Sequence, residues 1–177
     1  MRTLVLGGIR SGKSQWAEAA VTDAAGDHVP VRYLATGPAV DSDGSWAQRV
    51  RAHQVRRPAH WRTVETTDLA TDLAGDPDTA TLVDDIGGWL TTAMDRLGAW
   101  AGAPVHDEVD ALLEAVEAFA APLVLVSPEV GLTVVPATEA GRRFADELGT
   151  VNQRLAAVCD RVVLVVAGQP LTVKEPS

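Results

Sequence analysis

The sequence predicts an α/β fold, in which a mostly parallel β-sheet is covered by α-helices on both faces. Short apolar runs of four to seven residues alternate along the chain with longer segments whose apolar residues recur every three or four positions. Such continuous apolar runs are typical of strands that are buried on both faces, as they are in parallel sheets. A glycine-rich loop follows the first run and leads into a helix-forming segment, which is a further mark of this fold class.

The same patterns assign the individual elements in chain order. Predicted strands cover residues 3–6, 31–35, 61–66, 81–85, 122–127, 161–167 and 171–174. Predicted helices begin after Ser14 and cover residues 46–56, 68–74, 87–100, 105–121 and 139–159. A polar loop over residues 36–45 follows the second strand and is long enough to be functional. Ligands of such sheets bind beyond the carboxyl ends of the strands, so the segments that follow the strands should share one edge.

The loop after the first strand carries a complete phosphate-binding pattern. Residues 7–14 read G-x-x-x-x-G-K-S, the P-loop pattern, between a strand and a helix. Glycines let a polyphosphate approach the backbone, and the N–H groups at the helix N-terminus favour negative charge. Lys13 can reach the β- and γ-phosphates, and the Ser14 hydroxyl can bind Mg²⁺. The predicted nucleotide-binding residues of this loop are Gly7, Gly8, Ile9, Arg10, Ser11, Gly12, Lys13 and Ser14.

Composition and charge exclude several other classes of protein. With 177 residues, of which 46% are apolar, residues 1–177 are expected to form one P-loop nucleotide-binding domain with a sizeable core. The formal charge of −9, without a basic patch, argues against nucleic acid as a partner. No apolar run is long enough to span a membrane, and the start of the sequence does not resemble a signal peptide. The single cysteine, Cys159, excludes an internal disulfide, so we expect a cytoplasmic protein.

Two adjacent carboxylates end the fourth predicted strand. Asp84 and Asp85 follow the apolar residues 81–83, at the position where P-loop enzymes often place the acidic residue that holds Mg²⁺. Neighbouring residues of a strand point to opposite faces, so only one of the two should face the phosphates. We predict a metal-binding or base role for Asp84, with Asp85 as the alternative.

A histidine with arginine neighbours lies in the helix predicted for residues 46–56. Arg49 and His53 are four residues apart, so they share a helix face. A neutral imidazole can attack a phosphorus atom and carry a nucleotidyl group covalently, and arginine would offset the charge on the phosphates. A solvated surface helix with scattered charges explains the same spacing and, on spacing alone, is the simpler interpretation.

Several longer motifs together resemble one enzyme family. They are GGIRSGKS at residues 7–14, YLAT at 33–36, R-V-x-x-H-x-x-x-R-P-x-x-W-x-T-x-E at 49–65, E-V-G-x-x-x-V-P at 129–136 and G-x-V-N-Q-R-L-A at 149–156. They extend over nearly the whole chain and resemble the adenosylcobinamide kinase / adenosylcobinamide-phosphate guanylyltransferase family of cobalamin biosynthesis. The P-loop is common to many families, whereas the histidine segment combined with E-V-G and V-N-Q is much more specific.

The resemblance implies a P-loop fold similar to RecA, a homotrimer and two reactions. ATP or GTP first phosphorylates the hydroxyl of adenosylcobinamide, with Mg²⁺ as the expected cofactor. GTP then guanylylates a histidine, which falls on His53, and pyrophosphate leaves. The GMP passes to adenosylcobinamide phosphate, and adenosyl-GDP-cobinamide is formed. Besides the P-loop, the expected site residues are His53, Asp84, Arg49, Glu65 and Glu129.

Two other functions fit parts of the sequence. A monofunctional P-loop kinase for another small alcohol would need Lys13 but not His53. A non-catalytic nucleotide-binding switch subunit would bind and slowly hydrolyse nucleotide without a corrinoid. The guanine-reading pattern N-K-x-D of GTPase switches is absent, because Asn152 is the only asparagine and is followed by Gln153.

Overall fold

A computed structural model describes residues 1–36 and 58–176, and in this part of the chain seven strands form one sheet. The strands are β1 Arg2–Gly7, β2 Arg32–Ala35, β3 Arg62–Glu65, β4 Thr81–Asp84, β5 Leu123–Pro128, β6 Arg161–Val166 and β7 Gln169–Lys174. They lie in the order β3-β2-β4-β5-β1-β6-β7, and every neighbouring pair is parallel except β6 and β7. The carboxyl ends of the six parallel strands therefore lie along one edge of the sheet.

Five α-helices are found among the described residues. They are α1 Lys13–Ala25, α2 Leu69–Gly75, α3 Ile86–Leu97, α4 His106–Glu117 and α5 Glu139–Val158. Three of them are preceded by an N-cap residue whose side chain accepts a hydrogen bond from a backbone N–H of the first turn. These N-cap residues are Asp68, Asp85 and Thr138. The residue before α1 is instead Gly12, which has no side chain to cap the first turn. The N-terminus of α1 is therefore suited to a bound anion.

The sheet has a hydrophobic core on each face, because successive strand residues point to opposite faces. On one face, side chains of α2, α3, α4 and α5 pack against strand residues such as Leu4 and Val83. On the other face, Ala17 of α1 belongs to a cluster with strand residues such as Val5 and Leu82. We call these the multi-helix face and the α1 face.

The structure confirms the predicted α/β class and the seven predicted strands, with shifts of one or two residues at their ends. β7 begins two residues earlier than predicted, because Ala167 and Gly168 both have positive φ (51° and 76°) and form a tight two-residue hairpin turn. The helix predicted for residues 46–56 and most of the loop predicted for 36–45 lie outside the described residues. No helix within residues 1–36 and 58–176 is long and apolar enough to cross a membrane.

Two helices end earlier than the sequence predicts. α3 ends at Leu97, because Gly98 adopts a left-handed conformation with φ of 66°, and a short 3₁₀ turn follows. α4 ends at Glu117, and the N–H groups of Ala120 and Ala121 donate to the carbonyl oxygen of Pro77 (3.1 and 3.0 Å). Two hydrogen bonds to the loop that contains Pro77 therefore replace the last predicted helical turn.

One lysine joins the end of the hairpin to the end of α5. The Nζ atom of Lys174 donates to the carbonyl oxygens of Ala156, Ala157 and Cys159, at 2.9, 3.1 and 2.6 Å. These carbonyls belong to the last turn of α5 and the residue after it, where helices leave acceptors unpaired. A positive charge at this end also interacts favourably with the helix dipole.

We expect Lys174→Met to lower the free energy of unfolding by about 1–3 kcal/mol, because methionine keeps the aliphatic stem but leaves these acceptors without their donor. Urea unfolding followed by circular dichroism would measure the change. The unfolding of Lys13→Met, which changes the other lysine of the chain in the same way, is the control. A Lys174→Met protein as stable as the wild type would contradict this role.

Candidate active site

The P-loop lies at the carboxyl edge of the sheet, directly after the central strand β1. β5 and β6 flank β1 on its two sides. Residues after three other parallel strands reach the same edge: Asp85 after β4, Glu129 after β5 and Thr36 after β2. For the described residues, the sequence-based expectation that these segments share one edge is therefore confirmed, while residues 37–45 of the polar loop lie outside the described part of the chain.

Two residues of the P-loop adopt left-handed backbone conformations. Arg10 has φ of 56° and Gly12 has φ of 94°, and the N–H of Ser11 donates to the carbonyl oxygen of Gly8 (3.3 Å). A Cβ at Gly12 would lie 3.0 Å from the Cα of Gly168, so a side chain there would meet both backbone strain and a close contact. This explains the glycine at the second fixed position of the pattern.

The turn between β6 and β7 braces the P-loop from one side. The N–H of Gly168 donates to the carbonyl oxygen of Ser11 at 2.7 Å. A Cβ at Gly7 would lie 2.9 Å from the carbonyl oxygen of Val165 and 2.4 Å from Ser11 Oγ. Gly7 is therefore required for packing inside the protein. Gly8 has open space where its Cβ would lie, with no atom of the described residues within 4 Å, so that space is available to a ligand.

Lys13 and Ser14 occupy the first turn of α1, beside this open space. Lys13 Nζ donates to the carbonyl oxygen of Gly8 at 3.3 Å, an exposed contact, and no acidic residue lies in the first turn. The positive end of the helix and the ammonium group therefore act on the same region. Ile9 is 92% exposed, so any contact of this residue with phosphate would come from its backbone.

Asp84 lies on the same face of the sheet as α1. Leu82 packs in the core of the α1 face and Val83 in the core of the multi-helix face, so alternation returns Asp84 to the α1 face. Its Oδ2 atom accepts a hydrogen bond from the hydroxyl of Tyr33, which also belongs to the α1 face. This orientation favours Asp84 as the carboxylate that faces the phosphate region.

Asp85 has a structural task at the start of α3. Its Oδ1 atom accepts a hydrogen bond from the N–H of Gly87 at 2.9 Å. Burial and the neighbouring Asp84 raise the pKa of Asp85, and the N–H groups of Gly88 and Gly87 and the charge of Lys13 lower it in part. The carboxylate of Asp85 is thus already engaged as the cap of α3, which supports assigning the metal or base role to Asp84.

The pKa shift of Asp85 predicts a measurable pH dependence of stability. Its pKa is raised from 3.8 in the folded protein, so the folded state binds more protons than the unfolded state above that pH. Stability is therefore lost as the pH rises from 3.8 through the folded pKa. Asp85→Asn, which can still cap α3, should flatten the pH dependence in this window and be at least as stable at pH 7.

Urea unfolding in steps from pH 4 to pH 7 would test this prediction. Asp68→Asn is the matched control, because it alters the exposed capping carboxylate of α2 in the same way. A pH profile of Asp85→Asn that matches the wild type would show that Asp85 does not contribute as described.

Glu129 contributes its backbone to the P-loop and its side chain to its own loop. Its N–H donates to the carbonyl oxygen of Gly7 (3.1 Å), and its Oε1 accepts from the N–H of Gly131 (2.6 Å). The residue before it is also fixed: Asn152 Nδ2 donates to the carbonyl oxygen of Pro128 (3.0 Å), and Asn152 Oδ1 accepts from the Ser127 hydroxyl (2.6 Å). The asparagine of the V-N-Q motif thus holds the end of β5.

Glu65 lies at the same edge but far from the P-loop. It is the last residue of β3, and β2, β4 and β5 separate β3 from β1, which is about 19 Å at the usual strand spacing. Glu65 is aligned with Ala35, and Ala35 with Asp84, so it is about 10 Å from Asp84 along the same row. It can contribute only to a part of the site remote from the phosphate loop.

His53 and Arg49 lie outside the described residues. The last described residue before them is Thr36, whose buried hydroxyl donates to the backbone carbonyl oxygens of Asp84 and Asp85. Among the described residues, no cluster of three or more histidine, cysteine or acidic side chains could hold a metal ion. A metal held here would need ligands from the bound nucleotide as well as from the protein.

Sequence reasoning missed two residues that contact Asp84 and Asp85, namely Tyr33 and Thr36. Both belong to the YLAT segment, in which Tyr33 was used only as part of a strand and a family motif, and Thr36 also only as the first residue of the polar loop 36–45. The available signal was that a polar tyrosine lies within an apolar run beside the strand of Asp84, where its hydroxyl requires a partner.

The fold and this site together define an α/β P-loop enzyme that acts on nucleotides. A solved ATPase from the type III secretion system of pathogenic bacteria has the same fold, with a TM-score of 0.56 and 15% identity, over 92% of this chain and 50% of that one. The family model described as cobinamide kinase / cobinamide phosphate guanyltransferase matches residues 3–173. The chain belongs to this family and is a bifunctional kinase and guanylyltransferase of cobalamin biosynthesis.

Curated relatives match over almost their entire length. The bifunctional adenosylcobalamin biosynthesis protein CobP of Pseudomonas aeruginosa is 41% identical, over 98% of each chain. The corresponding CobU proteins of Salmonella typhimurium and Escherichia coli are 40% and 35% identical, over 98% of this chain and 100% of theirs. The family assigned from the sequence motifs is therefore confirmed.

Proposed function

We propose that the chain phosphorylates adenosylcobinamide with ATP or GTP and then transfers GMP from GTP to the product through a guanylyl-histidine intermediate at His53. The observation that carries this proposal is the braced P-loop, with Lys13 at the N-terminus of α1 and an oriented carboxylate, Asp84, on the same face. This arrangement suits the binding of a nucleoside triphosphate.

In the proposed kinase step, the backbone N–H groups of the P-loop and Lys13 bind the phosphates of the donor. The hydroxyl oxygen of the corrinoid attacks the γ-phosphorus, the bond to the leaving nucleoside diphosphate breaks, and the hydroxyl proton is released to water. The oxygen donors of Ser14 and Asp84 suit Mg²⁺, which would offset the phosphate charge. Lys13 keeps its charge throughout and stabilises the transferring group.

In the proposed transfer step, the imidazole of His53 attacks the α-phosphorus of GTP. The α–β phosphoanhydride bond breaks, pyrophosphate leaves, and GMP is held through a phosphorus–nitrogen bond. An oxygen of the corrinoid phosphate then attacks the same phosphorus and releases His53 unchanged. Arg49, one helical turn away in the predicted helix 46–56, would offset the charge of the phosphoryl group.

Incubation with GTP labelled at the α-phosphate, followed by denaturing separation, tests this function. We expect a label that is lost in acid, survives alkali, and is transferred to adenosylcobinamide phosphate when that acceptor is added. GTP labelled at the γ-phosphate is the control and should leave no label on the protein. If the protein carried no label from α-labelled GTP, either with or without the corrinoid phosphate, the guanylyl-histidine intermediate would be contradicted. Of the two proposed steps, only the kinase step would then remain.

The proposal also includes a cytoplasmic homotrimer that binds no nucleic acid. An exposed apolar segment after β5 supports association between copies: Leu132, Val134 and Val135 are 77%, 92% and 73% exposed, which is unusual for large apolar residues close together. Sedimentation equilibrium should give about three times the mass of one 18.6 kDa chain. A mass equal to one chain across the working concentration range would contradict the trimer.

A further inference from the structure

Tyr33 places a phenol hydroxyl against the carboxylate of Asp84. Tyr33 lies in β2 and is 1% exposed, and its hydroxyl donates to Asp84 Oδ2. In the register of the two strands, Tyr33 is aligned with Leu82, and Ala35 with Asp84. Tyr33 therefore lies on the same face as Asp84 but two residues nearer to the amino ends of the strands. The length of its side chain brings the hydroxyl to the carboxylate.

The ring of Tyr33 is fixed by its surroundings. It belongs to the buried cluster of the α1 face together with Leu82 and Val126. The indole of Trp61 lies beside it, with 6.4 Å between ring centroids and 34° between ring planes. A large side chain packed in this way keeps one orientation, so the hydroxyl is a fixed point from which Asp84 can be oriented.

A carboxylate with one oxygen held by a fixed donor has fewer orientations available to it. Oδ2 of Asp84 accepts from the phenol, so the carboxylate cannot rotate without losing that hydrogen bond. Carboxylates that hold metal ions are commonly hydrogen-bonded by a second residue, and loss of that residue typically lowers metal affinity or activity by about 10–100-fold.

We propose that Tyr33 is a positioning residue that holds the Asp84 carboxylate in the orientation needed by Mg²⁺ and the bound nucleotide. The inference rests on the proposed role of Asp84 and names the residue through which the protein sets its geometry. Tyr33 itself touches neither the substrate nor the phosphates in this proposal.

Tyr33→Phe removes the hydroxyl and keeps the ring. We expect kcat of the kinase step to fall about 10–100-fold and the half-saturating Mg²⁺ concentration to rise, with little change in KM for the corrinoid. In an Asp84→Asn background, the same substitution should cause no further loss, because the two residues act through one hydrogen bond.

Thr81→Val is the matched control at the opposite end of β4. It also removes a buried hydroxyl, which donates to the carbonyl oxygen of Thr79 at 2.8 Å. We expect Thr81→Val to lower stability but to leave the Mg²⁺ dependence unchanged. If Tyr33→Phe had lower activity but the same half-saturating Mg²⁺ concentration as the wild type, the role of Tyr33 would be merely structural and the inference would be wrong.

A spectroscopic measurement separates positioning from activity, because Tyr33 is the only tyrosine of the chain. Incorporation of 3-fluorotyrosine should give one ¹⁹F resonance from the folded protein. In the presence of a non-hydrolysable GTP analogue, addition of Mg²⁺ should shift this resonance, and Asp84→Asn should abolish the shift. A resonance that does not respond to Mg²⁺ would overturn the inference.

These variants distinguish a failure of the proposed role of Asp84 from a failure of the positioning role of Tyr33. Asp84→Asn with the activity and Mg²⁺ dependence of the wild type would show that the proposed role of Asp84 is wrong. An inactive Asp84→Asn protein together with a fully active Tyr33→Phe protein would overturn only the positioning role of Tyr33.

Discussion

Lys13→Met is expected to lower kcat/KM of the kinase step by about 10²–10³, the usual cost of removing one preorganised donor from a developing negative charge. The ammonium group lies at the N-terminus of α1 and, among residues 1–36 and 58–176, makes one long, exposed hydrogen bond, to the carbonyl oxygen of Gly8 (3.3 Å). It therefore contributes little to folding and is available to phosphate. Steady-state kinetics with ATP and with GTP would measure the loss for each donor.

The chain supplies its own control, because Lys174 is the only other lysine. Lys174→Met removes the same charge at the far end of the β6–β7 hairpin. We expect this variant to keep nearly the wild-type kcat/KM well below its unfolding temperature, although it is less stable. If Lys13→Met retained activity within tenfold of the wild type, the P-loop lysine would not stabilise the transferred phosphate.

His53→Ala is expected to abolish covalent labelling by α-labelled GTP and the formation of adenosyl-GDP-cobinamide, while the kinase step is retained. An alanine offers no nitrogen to attack the α-phosphorus, so the two-step transfer has no intermediate. In the proposed mechanism the kinase step uses the P-loop at residues 7–14, which does not include His53. The accumulation of phosphorylated corrinoid in a coupled assay would reveal the block between the two reactions.

His60→Ala is the matched control for this experiment. His60 is an exposed residue of the turn before β3, and its ring lies 6.0 Å from that of His28. We expect His60→Ala to label and transfer as the wild type does. Labelling that persists in His53→Ala and disappears in His60→Ala would show that GMP is bound to His60 and not to His53.

The local motif and the apolar runs were sufficient to predict the strands and the glycine-rich loop that connects β1 to α1. The P-loop pattern fixed the positions of Lys13 and Ser14, and the run before Asp84 placed that residue at the end of a strand, as observed. These features depend on neighbouring residues in the sequence. They are therefore the part of a fold that a single sequence reveals best.

The contacts that shape the site come from distant parts of the chain, which no local pattern reports. Tyr33 reaches Asp84 across 51 residues of sequence, and Asn152 reaches the end of β5 across 24. Glu65 was predicted as a site residue from a motif, but strand order, which the sequence did not predict, places it at the outer strand β3. Strand order and side-chain contacts are thus what the structure adds.

The hydrogen bond from the N–H of Gly168 to the carbonyl oxygen of Ser11 (2.7 Å) affects the rate at which the P-loop binds a nucleotide. Ordering one backbone residue costs about 1–2 kcal/mol of conformational entropy. If a loop becomes ordered only when a ligand binds, this free energy is subtracted from the binding free energy and the affinity is lower. Here the turn between β6 and β7 orders the loop during folding. Association should therefore be limited by diffusional encounter rather than by a slow rearrangement of the loop, and the observed rate should rise linearly with nucleotide concentration.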